Sequence, residues 1–89
     1  MLVLPPELTL RQATACLRML VQGLPSQTTT VVVDAASLER FDSSALAVLL
    51  ELRRESLARG KQFELRGLAP RLADLARVYG VDELLVNAA

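Results

Sequence analysis

Leu38-Glu39-Arg40-Phe41-Asp42-Ser43-Ser44-Ala45-Leu46-Ala47-Val48-Leu49-Leu50 places an aspartate and two serines at the entry of an aliphatic helix, shortly after a β-forming run. A strand that feeds a helix is half of a crossover between parallel strands. The fold class read from this junction is therefore α/β, with helices packed on a small sheet. The junction is also a chemical address. Free backbone N–H groups and the positive end of the helix dipole converge there, which favours a serine cap, a phosphate on that serine, or an anionic group of a partner.

Upstream of the junction, Thr28-Thr29-Thr30-Val31-Val32-Val33 is a continuous β-branched run, expected to be the central strand and covered on both faces. Asp34 follows at its carboxyl end, yet a lone carboxylate without His, Lys or a second acid beside it is a weak catalytic claim. Earlier still, Thr9 and Gln12 make a capping box, after which Leu10, Ala13, Leu17, Leu20, Val21 and Leu24 recur at helical spacing until Gly23 and Pro25. Met1 to Leu4 reads as a short strand stopped by Pro5-Pro6.

Downstream, the helix that starts near Ser43 runs to Gly60 with Glu51, Arg54, Glu55 and Arg59 on its polar side, Glu55 and Arg59 forming an i, i+4 pair. Its first two turns are apolar nearly all round, so its N-terminal half is expected to be covered by its own sheet and by something else. Gln62 to Arg66 alternates as a strand with Phe63 and Leu65 on one face, closed by Gly67. Pro70 opens a third helix, whose Leu72, Leu75, Ala76 and Tyr79 form one stripe ended by Gly80, and Val81 to Val86 reads as a short closing helical turn.

Composition excludes much chemistry. A chain of 89 residues is a single domain, residues 1–89, that buries roughly 60% or a little more of its unfolded surface. Apolar residues make up 52% and aromatics 3%, so the core is built from Leu, Val and Ala. Ten basic and ten acidic residues cancel, and no basic run exceeds Arg53-Arg54, so no footprint for nucleic acid or an anionic membrane is visible. That pair reads as a solvated helix face. Histidine is absent, which removes the common zinc sites and the Ser-His and Cys-His nucleophile pairs; no metal or cofactor is expected. Cys16, the lone cysteine, reads as a packing filler and fits a reducing compartment. The longest apolar run, Ala45 to Leu50, falls far short of the ~20 residues of a membrane span, so a cytoplasmic chain is expected.

Together, the strand, Asp42-Ser43-Ser44, the aliphatic helix, Gly60-Lys61, the next strand and Leu68-Ala69-Pro70-Arg71-Leu72-Ala73-Asp74-Leu75-Ala76-Arg77-Val78-Tyr79-Gly80-Val81-Asp82-Glu83-Leu84-Leu85 resemble a STAS domain from about Val31 to Leu85. The Leu75-Ala76-Arg77-Val78-Tyr79 segment is most similar to the Mla-type subunit of phospholipid ABC transporters. That resemblance implies a non-enzymatic accessory subunit, peripheral to the inner membrane, that binds and supports the transporter's ATPase in maintaining outer-membrane lipid asymmetry. The alternative it leaves open is an anti-sigma factor antagonist, in which Ser43 is the phosphorylated residue. There Asp-Ser-Ser is commonly followed by glycine, whereas Ala45 stands here, which leans away from the kinase-regulated branch. Members usually begin with two strands; this chain has room for one, Met1 to Leu4, so the N-terminal strand pair is shortened and one edge is expected to be bare.

The partner-binding residues implied are Arg40, Phe41, Asp42, Ser43, Ser44 and Ala47. Ser43 is expected to cap the helix and hydrogen-bond the partner, Arg40 and Asp42 to make polar rim contacts, and Phe41 with Ala47 to supply a small apolar centre. Each has a structural alternative: an N-cap for Asp42, Ser43 and Ser44, and a plug over the sheet edge for Phe41. Tyr79 is expected in the core with its hydroxyl at the rim. A small-anion or nucleotide sensor at the helix N-terminus is the reading from another class. A homodimer is expected when the partner is absent.

Overall fold

Val31 and Val33 are fully buried in the core shared with the helices, and the strand that carries them lies between two parallel neighbours in the computed structural model, which describes residues 1–85. β1 (Leu2–Val3) pairs one side of β3 (Thr30–Asp34), and β5 (Gln62–Arg66) pairs the other, giving the order β1-β3-β5. The β-branched run is thus central, as its composition predicts. Register sets Leu2 beside Val33, with Phe63 and Leu65 beside Val31 and Val33. Since side chains alternate along a strand, these residues share the face turned to the helices.

The opposite face stays partly open. Thr30, Val32 and Asp34 are half-buried there, beside Gln62, Glu64 and Arg66. Cover on both faces, expected from the unbroken Val run, is therefore corrected to cover on one. Arg66 and Glu64, paired at 2.8 Å, keep that surface polar. The strand also begins at Thr30 rather than Thr28 and includes Asp34.

The N-terminal segment departs from the one-strand expectation as well. β2 (Glu7–Leu8) follows the two prolines and pairs in parallel with β4 (Arg40–Phe41) as a separate ribbon, so two strands of two residues each precede the first helix. Proline interrupts donation but keeps its carbonyl. Pro6 O accepts from Glu39 N–H at 2.8 Å and Arg40 N–H at 3.0 Å, so the chain resumes pairing instead of leaving the sheet.

Among the described residues four α-helices complete the fold: α1 (Leu10–Gln22), α2 (Ser43–Ala58), α3 (Pro70–Val78) and α4 (Asp82–Leu85). The predicted capping box is present, with Gln12 Oε1 accepting from Thr9 N–H at 2.9 Å and from its hydroxyl at 2.6 Å. Arg59 meets Glu55 at 2.6 Å, as the i, i+4 spacing predicts. The core is aliphatic: Leu4, Leu8, Leu24, Leu49, Leu52 and Leu72 are at most 1% exposed. α2 packs against α1, β5, α3 and α4, which explains why its first turns are apolar on several sides. Of the closing turn read as Val81 to Val86, the helix Asp82–Leu85 is observed and Val86 lies outside the described residues.

Candidate functional site

The site is built where β4 turns into α2. Asp42 holds an extended conformation, φ −128° and ψ −167°, and is the N-cap. Its Oδ1 accepts from Ser44 N–H at 2.8 Å, and its Oδ2 accepts from Leu10 N–H, at the start of α1, at 3.1 Å. The Ser44 bond is the main cause, and the Leu10 bond a further one, of a carboxyl pKa below its ordinary value. The cap expected of Ser43 is therefore made by Asp42. Asp42 stands at the non-helical position, from which its carboxylate reaches forward to the second helical amide, whereas Ser43 is already inside the helix.

Ser43 is consequently free to face solvent, and it is exposed. Ser44 is half-buried and Ala45 fully buried, which fits an alanine at this helical position where a glycine would add backbone freedom. Arg40 is exposed on β4. Phe41 packs half-buried against the core, with the Arg71 guanidinium 5.2 Å from its ring centroid, a separation at which a cation is attracted to the ring face.

Ala47, one turn into α2, is exposed between two depressions. On one side Ser43, Leu46, Ala47, Leu50, Tyr79 and Val81 line a groove of about 300 Å³. On the other, Ala13, Thr14 and Leu17 of α1 face Ala47, Val48 and Glu51 across a groove of about 320 Å³. This second groove continues past Leu17 and Glu51 to Val21 and Glu55, a further 360 Å³ or so. The start of α2 is thus a low ridge with a methyl group at its crest. Of the six residues named from sequence, Ser43 and Ala47 share a groove; Arg40, Phe41, Asp42 and Ser44 do not line it.

Tyr79 was expected in the core and is instead 58% exposed, beside Val78 at 81%. α3 ends at Val78, and Gly80 turns the chain away at φ +71°, so the apolar stripe stops before Tyr79 can be folded inward. Gly80 is visible in the sequence as the end of the helix, but the stripe alone does not say whether Tyr79 turns in or out. Leu10 is a second contact candidate that sequence reading missed. It is 76% exposed and is brought to the junction by its bond to Asp42, 32 residues away, which no local pattern announces.

The arrangement suits recognition of an apolar surface bearing polar edges. Among the described residues no group of three or more His, Cys, Asp or Glu is placed to hold a metal ion. Cys16 is buried, and desolvation pushes its thiol pKa up. No described helix is long and apolar enough to cross a membrane. A family model described as "Mlab, STAS domain" matches residues 1–87. Among curated proteins none matches the chain.

Proposed function

Because the chain belongs to the STAS domain family, whose members are protein-interaction modules, we propose that it is a non-enzymatic accessory subunit of a phospholipid-trafficking ABC transporter. It binds and supports the transporter's ATPase at the cytoplasmic side of the inner membrane, and so serves outer-membrane lipid asymmetry. The observation that carries this reading is the ridge at the start of α2: exposed Ser43 and Ala47, flanked by two grooves with apolar floors. A small crest between two channels accepts a helix or loop of a partner closely, since bulky partner side chains enter the channels on both sides. Ser43 offers its hydroxyl there, and Arg40 and Asp42 lie at the rim.

Gentle recovery of the native complex, followed by identification of what accompanies the chain, is the test. An ABC ATPase and its permease in the eluate support the proposal; a serine kinase and a sigma regulator replace it with the partner-switching alternative. That alternative draws on one observation, the exposure of Ser43 at the first helical position, where the helix N-terminus favours a negative group.

A further inference from the structure

The carboxylate of Asp42 serves two helices at once. One oxygen accepts from Ser44 N–H in the first turn of α2, the other from Leu10 N–H at the first residue of α1. A single side chain thereby satisfies an orphan amide at each of two helix starts. The local alternative for α1 is already engaged, since Thr9 is held by Gln12, which in turn donates to Glu7 at 2.8 Å. Three residues beyond the two tied amides lie Ala13 and Ala47, the facing residues that open the groove between α1 and α2.

We propose that Asp42 is a positioning residue for the docking surface: by capping α1 and α2 together it sets the spacing of the groove's two walls beside the Ala47 ridge. The inference rests on the docking surface assigned above to the start of α2. It also makes a claim about the isolated chain, namely that the Asp42–Leu10 bond, and not the cap of α2 alone, holds the walls in place.

Two substitutions remove that one bond from opposite ends. Asp42→Asn leaves an oxygen for Ser44 and an equally good N-cap, but turns an amide donor toward Leu10 N–H. Leu10→Pro deletes the donor at the first helical position, where proline is favoured, behind a Thr9 already extended at φ −113°, ψ −176°. Leu10→Ala keeps the N–H and is the reference for lost side-chain area.

Amide exchange and methyl contacts by NMR on the isolated chain decide the positioning role. In Asp42→Asn the Leu10 amide is expected to exchange about fivefold faster or more while the Ser44 amide keeps its protection. Contacts between Leu17 and Val48 across the groove weaken in both variants, and in the double variant no further than in the weaker single, because the same bond is lost. Affinity for the ATPase falls in step, relative to wild type for Asp42→Asn and to Leu10→Ala for Leu10→Pro. Unchanged Leu10 exchange, unchanged Leu17–Val48 contacts, or additive losses in the double variant overturn the proposal. If the wild-type chain does not bind the ATPase, the docking reading falls, while the isolated-chain measurements still decide what Asp42 positions.

Discussion

Ser43 and Asp42 are neighbours with separate duties, and single substitutions separate them. Because Asp42 makes the cap, Ser43→Ala is expected to change stability by less than about 0.5 kcal/mol, while Ser43→Glu, adding bulk and charge on the ridge, weakens ATPase binding without unfolding the chain; urea melts beside a binding titration read both. For Asp42, the folded pKa lies below the ordinary 3.8. Above 3.8 the carboxylate is ionised in folded and unfolded chains alike and its stabilisation is complete. As pH falls below that value the unfolded chain binds the proton first, and the contribution is lost through the folded pKa. Melting temperature should therefore fall below about pH 4 in wild type and less steeply in Asp42→Asn. Gly67 makes a third case: at φ +72° a Cβ would stand 3.0 Å from the Ala36 backbone nitrogen, whereas Gly60, also at φ +72°, has open space around it. Gly67→Ala should cost about 1–3 kcal/mol and Gly60→Ala less, a difference that denaturant midpoints measure.

At the scale of elements, α2 is both wall and ridge, and adjacent positions on it answer to different demands. Leu49 is fully buried, so Leu49→Ala removes packed volume and is expected to cost about 2–5 kcal/mol. Ala47, two residues earlier, is exposed at the crest, and Ala47→Arg should leave the denaturation midpoint nearly unchanged while blocking the partner. A variant that lost both stability and binding at Ala47, or neither, would remove the ridge from the docking surface. The far end of the sheet shows how a polar side chain joins elements. Lys61 Nζ donates to the carbonyls of Leu24 and Gln27, both at 2.7 Å, tying the start of β5 to the 3-10 turn Leu24–Ser26 that follows α1.

For the whole molecule, small size and uncovered apolar surface act together. A domain of 89 residues has little stability to spare, and Val78, Tyr79 and Val3 are each more than half exposed. Dilute chain without its partner is expected to self-associate, most simply as a two-fold dimer, and to gain about 2.7 kcal/mol of apparent stability when the ATPase is present at a hundred times its dissociation constant. Light scattering and thermal melts check both. A monomer whose melting temperature ignores added ATPase would contradict them.

The parallel α/β class, the central place of Val31 to Val33, the capping box at Thr9 and the ends of three helices were legible in the sequence. Each follows from chemistry within a few residues: β-branching, helical periodicity, a missing proline N–H. The second N-terminal strand was not legible, since Glu7 and Leu8 become a strand only by meeting Arg40 and Phe41, more than thirty residues on. The cap passed from Ser43 to Asp42 for a related reason: both residue types suit a helix start, and the backbone, extended at Asp42 and helical from Ser43, chose between them. Likewise a stripe of Leu72, Leu75, Ala76 and Tyr79 reads the same whether its last member turns in or out, and only the end of α3 against Gly80 put Tyr79 beside Ser43 and Ala47. Local preference is a property of neighbours along the chain, while a docking surface is a property of neighbours in space.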